Sequence, residues 1–145
     1  MVVVLAHITV VAGREAAFEV AARELAAATL EREHGIRRYE YMRLSEPAKY
    51  QATLAFDDYD AFIEHQASEH HHEIAGAMRE LIAEIRLERV DPVLGCSPLA
   101  AEPAEGDGSE QRMIEPADEV VLAARREHYR ARYPLDGAPW WGEVR

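Results

Sequence analysis

Cysteine is nearly absent from this sequence of 145 residues, in which Cys96 is the single example. One cysteine cannot form an internal disulfide, and it also excludes a zinc site built from several thiolates. A reducing compartment suits such a composition. We therefore expect the protein in the cytoplasm.

Positive charge is also scarce, because 16 Lys and Arg residues stand against 27 Asp and Glu residues, for a formal net charge of -11. Binding to DNA or RNA depends on cationic side chains that neutralise phosphates. No stripe of Lys and Arg compensates for the acidic balance. The composition thus excludes a nucleic acid as the expected partner.

Long apolar runs are missing as well. The stretch 1–11 is apolar, but it contains His7 and Thr9 and is shorter than the roughly 20 residues that span a bilayer. It also lacks the basic start of a secretion signal. We therefore interpret it as a β-strand, and we expect a protein that is neither exported nor inserted in a membrane.

The order of the periodic segments predicts an α+β fold of the ferredoxin-like type. Strand patterns fall at 2–11, 36–44, 50–56 and 87–90, and helical spacing falls at 14–33 and 59–85. This βαββαβ order corresponds to a four-stranded antiparallel sheet with both helices on one face. Gly35 follows the first helix, where we expect it to end the helix in the left-handed conformation.

A sheet of this kind predicts a homodimer, because the helices cover only one of its faces. The strands at 2–11 and 50–56 carry apolar or neutral residues on both faces. Leaving the second face in water would expose a larger apolar patch than a monomer usually shows. We therefore expect two copies to pack sheet against sheet.

The composition changes after residue 95, which predicts a first domain at 1–95 and an extension at 96–145. Residues 97–119 are rich in Pro, Ala, Gly and acidic side chains, and they lack apolar periodicity. These features are typical of a linker.

A third helix is predicted at 117–132, with Pro116 near its first turn and Pro134 after its end. The tail beyond it contains both tryptophans, Trp140 and Trp141. We expect the tail to bury apolar surface against a partner subunit, or else to close over a cavity as a lid.

Histidines are concentrated in the segment DDYDAFIEHQASEHHH at 57–72. The imidazole pKa of roughly 6.5 permits proton transfer near neutral pH, so this cluster indicates a chemical site. A histidine on a helix can equally be a solvated or hydrogen-bonded structural residue. We prefer that structural interpretation for His71 and His72.

A metal site is another use that such a cluster could have. On an unbroken helix His65, Glu69 and His72 would share one face. Two turns, roughly 10 Å, would separate the imidazoles, which is too far for one ion. Ser68 is also a candidate N-cap that would break the helix. The sequence therefore predicts no metal centre.

The spacing of His65, Ser68 and His70 reproduces an H-x-x-S-x-H signature that follows a βαββ pattern. Further matching residues precede it, namely Ala12-Gly13, Glu33-His34-Gly35, Arg38-Tyr39-Glu40, Asp57-Asp58 and Ala61-Phe62. With these residues, the segment 2–95 resembles the antibiotic biosynthesis monooxygenase domain family of the dimeric α/β-barrel superfamily. The resemblance implies a ferredoxin-like domain that forms a dimeric barrel.

The resemblance further implies a monooxygenase that works without a cofactor. A deprotonated, electron-rich phenol or polyketide-like compound gives an electron to dioxygen and becomes a quinone, so neither flavin nor metal is required. The protein must supply a base, a dry cavity and donors that stabilise the anion. We therefore expect a hydrophobic aromatic substrate, dioxygen and no cofactor.

His65 and His70 are the candidate base and proton shuttle, because the family signature falls on them, and His7 on the first strand is a third candidate. In heme-degrading relatives, an Asn on the first strand, a Trp on the third and a His on the second helix carry the site. This chain has His7, Phe56 and Ala75 near those positions. The resemblance therefore argues against heme degradation.

Tyr39, Tyr41 and Arg43 alternate to one face of the second strand, so they are candidates for orienting the substrate or stabilising its anion. Sheet or interface packing is the alternative role for the tyrosines. Phe56 is a further candidate substrate contact. It stands where many family members have Trp, and Leu54 stands where many have Glu.

Two other functions remain open. The first is a non-oxidative isomerase or cyclase on the same scaffold, in which the histidines move protons and turnover continues without oxygen. The second is a ligand-binding or assembly module without catalysis, which the residues at Phe56 and Leu54 keep open. If the protein is such a module, replacing His65 by Ala would leave its biological activity intact.

Overall fold

The computed structural model describes residues 1–93, 95–96 and 118–135, together with the backbone of 140–144. Its elements are β1 (Val2–Val10), α1 (Glu15–Arg32), β2 (Ile36–Arg43), β3 (Lys49–Phe56), α2 (Tyr59–Ala67), α3 (Glu69–Met78), β4 (Ile82–Val90), α4 (Glu119–Arg132) and β5 (Trp140–Val144). A short 3-10 turn, Arg79–Leu81, joins α3 to β4. The predicted linker lies almost entirely outside the described residues.

The sheet has the strand order β2-β3-β1-β4-β5, and every neighbouring pair is antiparallel. The first four strands are those of the predicted ferredoxin-like arrangement, which is thus confirmed. The tail forms the fifth strand, with Glu88 opposite Trp140 and Ile85 opposite Val144. Its backbone therefore extends the sheet of its own chain, an arrangement that neither expectation for the tail had included.

The second helical zone is shorter than the sequence suggested, because β4 begins at Ile82 and not at 87. A β-bulge explains why the apolar spacing of β4 resembles that of a helix. Val10 pairs with Ile82 while Thr9 pairs with Glu84, so β4 has one extra residue at this point. A bulge shifts the alternation of side chains by one position. It brings Ile82 and Ile85 to the same cavity, at a spacing that a helix would also give.

Gly35 does not end α1 in the left-handed conformation. The helix ends at Arg32, its C-cap residue Glu33 has extended backbone with φ -112° and ψ 126°, and Gly35 is not among the residues with positive φ. A Cβ built on Gly35 would lie 2.6 Å from the Cβ of Ala61. The glycine is therefore required because the start of β2 passes very close to α2.

One face of the sheet carries the helices and the core. Along β1, Val4 and Ile8 are buried on this face, and Phe18 of α1 packs against Tyr41 and Tyr50 with ring centroids 6.0 and 4.8 Å away. The odd-numbered residues of β1 point to the opposite face because side chains alternate along a strand.

Helix α4 packs on the outside of α2, and its presence confirms the predicted third helix. The Asp118 carboxylate accepts hydrogen bonds from the Val120 and Val121 amides and so caps its first turn. At its end the Tyr59 hydroxyl donates to the Tyr133 carbonyl over 2.8 Å. Within the described part of the chain, no helix has the length and apolarity needed to span a membrane.

Candidate active site

A cavity of about 140 Å³ lies between the sheet and the helices, with part of its wall supplied by α4. Strand residues form an apolar wall, which consists of Val4, Ala6, Ile8, Leu54, Ile85 and Leu87. Polar side chains enter from β2 and from the helices. A small apolar chamber with a few polar groups is the usual form of a site for a small molecule.

Ser68 separates α2 from α3 and determines where the neighbouring histidines point. It has ψ 151°, its hydroxyl accepts a hydrogen bond from the His71 amide, and it donates to the His65 carbonyl over 2.9 Å. On an unbroken helix residues 65 and 70 would point about 140° apart. The break allows His65 and His70 to approach the same carboxylate.

That carboxylate belongs to Glu33, which is only 6% exposed at the end of α1. Its Oε1 lies 2.9 Å from Nδ1 of His65 and 2.7 Å from Nε2 of His70. These are distances of charge-assisted hydrogen bonds in which both imidazoles donate. The hydroxyls of Ser68 and Thr29 lie 3.3 and 3.5 Å from the same His70 nitrogen.

The Glu33 carboxyl remains ionised at neutral pH. Burial alone would raise its pKa, but the charge and hydrogen bond of His65, together with the hydrogen bond of His70, outweigh burial and lower the pKa to about 2. An ionised acceptor orients the N–H of His65 at Nδ1. The other ring nitrogen, Nε2, is buried and has no hydrogen-bond partner among the described residues.

His71 lies beside His65, with 4.6 Å between the ring centroids, and it also lines the cavity. Burial lowers the pKa of His71 well below its ordinary value, and protonation of the adjacent His65 would lower it further, so the His71 ring is neutral at neutral pH. Its Nδ1 is likewise buried with no partner in the described ranges. Buried polar atoms without partners are costly and often mark functional sites.

Tyr39 and Tyr41 bring two phenols to the cavity wall, 3.2 Å apart. Burial raises the pKa of Tyr41 to about 12, and burial with the nearby Tyr41 raises the pKa of Tyr39 well above 10. Both phenols are therefore protonated, and since one hydroxyl donates to the other, one O–H remains free to donate to a bound molecule. The Tyr39 ring meets the His65 ring edge-on, with centroids 5.3 Å apart.

Of the seven site residues that the sequence proposed, His65, Tyr39 and Tyr41 meet at this cavity. His70 does not line it but lies buried behind Glu33. Phe56 is fully buried and packs against the His65 ring at 5.4 Å, so it supports the histidine and does not line the cavity.

His7 and Arg43 are not brought to the cavity, contrary to expectation. His7 lies on the opposite face of the sheet, because Ala6 and Ile8 face the cavity, and its Nε2 is 3.0 Å from Oε2 of Glu88. Arg43 ends β2 as an exposed residue and pairs with Glu19 of α1. The catalytic role of His7 and the substrate contact of Arg43 therefore have no geometric support.

Glu33, His65 and His70 are also the one group of potential metal ligands that the described ranges bring together, with ligand atoms within 4.8 Å. Two imidazoles and a carboxylate are the composition of a facial iron triad. Here the carboxylate is already hydrogen-bonded to both rings. The grouping weighed from the sequence is not formed, because Glu69 pairs with Arg125 and His72 is exposed.

The site residues predicted from the sequence did not include Glu33 or His71, and they included no cavity residue of the extension. Glu33 had a signal, since it opens the Glu33-His34-Gly35 motif, but no role was assigned to it. His71 was interpreted as structural. Nothing in the sequence indicated that α4 would contribute to the cavity, which it does with Tyr129 and Arg132, together with Tyr133 directly after the helix.

Comparison with known proteins gives one family match and many structural neighbours. The family described as antibiotic biosynthesis monooxygenase matches residues 1–77. No curated protein matches the chain. The solved structures include a candidate antibiotic biosynthesis monooxygenase from Caulobacter crescentus, with 26% identity and a TM-score of 0.61, covering 63% of this chain and 89% of its own.

Two further neighbours show the same fold at lower identity. A candidate antibiotic biosynthesis monooxygenase from Nitrosomonas europaea has 17% identity and a TM-score of 0.60, covering 64% of this chain and 99% of its own. The protein PA3566 from Pseudomonas aeruginosa has 20% identity and a TM-score of 0.58, and the match covers 63% of this chain and 93% of its own. These likenesses establish the fold of the matched part.

Proposed function

The chain belongs to the antibiotic biosynthesis monooxygenase family, and from this premise we propose that it oxidises a hydrophobic phenolic or polyketide-like compound with dioxygen, without a cofactor. Membership supports a monooxygenase-type role in general terms. The cavity supports His65 as the base and a hydrophobic substrate, while the phenolic or polyketide-like class follows from the family resemblance.

One observation carries the proposal: His65 lines an apolar cavity, and an ionised, buried Glu33 holds its Nδ1. A carboxylate that fixes one imidazole nitrogen leaves the other as a base of defined direction, which is the arrangement found in acid–base catalysis. Nε2 of His65 has no partner among the described residues, so it is available to a substrate proton.

The proposed reaction converts a phenol with a free ring position, plus one dioxygen, to a quinone and one water. His65 accepts the phenol proton, and the phenolate gives one electron to dioxygen. The ring radical and superoxide combine at the ring carbon, and His65 returns its proton to the peroxide. Removal of the hydrogen on that carbon breaks the O–O bond and releases hydroxide, which becomes water with that proton.

Tyr39 and Tyr41 support these reaction steps as neutral phenols, because raised pKa values keep both hydroxyls protonated. A hydrogen bond from either phenol stabilises the substrate anion in a cavity where little water competes. The apolar strands contribute burial of the aromatic rings. Glu33 and His70 position His65 and do not touch the substrate.

A second candidate function is a proton-transferring isomerase. It is favoured by the pair His65 and His71, which line the same cavity with ring centroids 4.6 Å apart and which each have one buried ring nitrogen without a partner among the described residues. Two such groups can remove a proton at one substrate atom and return it at another. Turnover under argon distinguishes the isomerase from the oxygenase.

Oxygen uptake with a panel of anthrones and hydroquinones, in the presence of a chelator, tests the first proposal. His65→Gln is expected to lower the enzymatic rate by about 10²- to 10⁴-fold, the usual contribution of a general base. His72→Gln is the matched control, because His72 is exposed on α3 and should leave the rate within about twofold of wild type.

Either of two outcomes would contradict the oxygenase. The first is that no compound of the panel is turned over above its uncatalysed rate. The second is that the His65→Gln and His72→Gln variants are equally active. Activity that disappears with the chelator and returns with a divalent metal would instead favour a metal bound at Glu33, His65 and His70.

A further inference from the structure

Two arginines line the cavity without a carboxylate partner. Arg79 lies in the turn after α3 and Arg132 is the last residue of α4, and both are solvent-exposed residues of the cavity wall, which places them at its mouth. Within the described ranges neither forms an ion pair. The other arginines of α4 do form ion pairs, namely Arg125 with Glu69, Arg126 with Glu64 and Arg130 with Asp60.

The two guanidinium groups act on the same part of the cavity. The Arg132 guanidinium carbon lies 5.6 Å from the centre of the Tyr133 ring. Burial raises the pKa of the Tyr133 phenol, while the charge of Arg132, its hydrogen bond with Tyr133 and the charge of Arg79 oppose that rise. Tyr133 also lines the cavity, so two positive charges converge on its wall near this ring.

The lack of a carboxylate partner for Arg79 and Arg132, when the other arginines of α4 form ion pairs, suggests that they bind a ligand. The chain has a formal charge of -11, so carboxylates that could pair with these arginines are abundant. Charge-assisted hydrogen bonds from a guanidinium to an oxyanion are stronger than neutral ones, and they strengthen further where water is partly excluded. An anionic group at the mouth would satisfy both arginines and leave an apolar body inside.

We propose that Arg79 and Arg132 bind a carboxylate of the substrate, whose aromatic body occupies the apolar cavity beside His65. The substrate class is thus a hydrophobic aromatic acid. This inference rests on the proposed function only in that it calls the bound molecule a substrate. The preference of the cavity for an anion does not depend on the reaction.

Calorimetric titration with 2-naphthoate and with 2-naphthylmethanol tests the charge preference, because these probes share a ring system and differ in the anion. Wild-type protein should bind 2-naphthoate about tenfold more tightly. Arg79→Gln and Arg132→Gln should each remove part of this preference, and the double variant should remove it entirely. Binding of 2-naphthylmethanol should not change.

Arg130→Gln is the matched control, since Arg130 is exposed on the same helix but pairs with Asp60 outside the cavity. It should keep the full preference, and Arg79→Lys should keep most of it because the charge remains. Circular dichroism verifies that each variant is folded.

A wild-type protein that binds both probes equally, or binds neither, would overturn the proposal. A preference that survives in the double variant would also overturn it. Neither probe carries an oxidisable phenol, so the result is separate from oxygen uptake. Failure of the oxygenase assay with a retained preference for 2-naphthoate would leave the anion site and remove only the proposed reaction.

Discussion

Glu33 is the residue on which the geometry of the site depends most directly. Its side chain joins the end of α1 to both histidines of the signature, and Oε1 alone lies within 2.9 Å of each. A single acceptor shared by two imidazoles sets the ring orientation and the position of the ring protons of both. Glu33 therefore acts through His65 as a positioning residue.

Replacing Glu33 by Gln should destabilise the protein in a manner that depends on pH. The folded-state pKa of about 2 is below the ordinary 4.5, so the ionised carboxylate contributes up to about 3 kcal/mol. That contribution is fully present above pH 4.5 and is lost as the pH falls towards 2. Urea unfolding of wild type and Glu33→Gln at several pH values measures the difference.

The gap in the free energy of unfolding between the two proteins should be largest near neutral pH and should narrow in acid. Glu31→Gln, at an exposed position of the same helix, serves as the control and should behave as wild type. A gap that is the same at every pH would show that Glu33 is not ionised in the folded protein.

Individual residues were predictable where a signature named them and not where a strand face had to be chosen. His65 and His70 followed from their spacing with Ser68. His7 was misplaced because β1 is apolar on both faces, so the sequence does not indicate which parity meets the helices. Only the packing of Ala6 and Ile8 against the cavity shows that His7 points away.

Close approach of two elements at Gly35 is what allows the Glu33 carboxylate to reach the end of α2. The Gly35 carbonyl accepts a hydrogen bond from the Asp57 amide over 2.9 Å, and its missing side chain makes room for Ala61. The Glu-x-Gly sequence therefore combines a functional carboxylate with the glycine that allows its approach.

Gly35→Ala should destabilise the protein by about 1–3 kcal/mol, because both methyl groups are attached to the backbone and only a shift of β2 or α2 relieves the overlap. Gly76→Ala is the matched control, since nothing lies within 4 Å of an added Cβ in α3. It should stabilise the protein by roughly 0.5–1 kcal/mol, the helix-propensity gain of Ala over Gly.

Denaturant unfolding of the two variants measures both effects. Equal stability of Gly35→Ala and wild type would show that β2 and α2 are not packed as closely as described. Oxygen uptake should also fall in Gly35→Ala, because a shift of α2 moves His65 away from Glu33.

At the scale of elements, the order of helices and strands was predictable, and the boundary near Ile82 was not. The apolar residues Leu81, Ile82 and Ile85 fit a helical period as well as a bulged strand, and periodicity alone cannot separate the two. The helix break at Ser68 was anticipated because a serine can act as an N-cap.

The whole molecule has one sheet face covered by helices and an opposite face that includes Val3, Leu5, His7 and Thr53. We expect this opposite face to mediate a homodimer, because the helices cover only the other face of the sheet. Its polar members include the His7–Glu88 pair, so the interface would be mixed in character and not purely apolar.

Leu5→Arg should shift the protein from dimer to monomer, because it places a charge in the middle of the expected interface between Thr53 and Glu88. Glu88 can pair with the new guanidinium, so the subunit should remain folded. Sedimentation equilibrium measures the change against a subunit mass of 16.3 kDa.

Val120→Arg is the control for this experiment, since Val120 is 79% exposed on α4 and lies away from the sheet. It should leave the mass unchanged. A wild-type protein that sediments as a monomer at micromolar concentration, or a Leu5→Arg variant that stays dimeric, would contradict a sheet-to-sheet dimer.

The fifth strand also has a consequence for how the protein resists aggregation. Pairing with β5 covers the long edge of β4, so the outermost strands of the described sheet are β2 and the five-residue β5. Short strands and charged side chains at a sheet border both hinder the recruitment of foreign strands. Because β2 bears Arg37, Arg38 and Arg43, amyloid-like growth should be hindered at both borders.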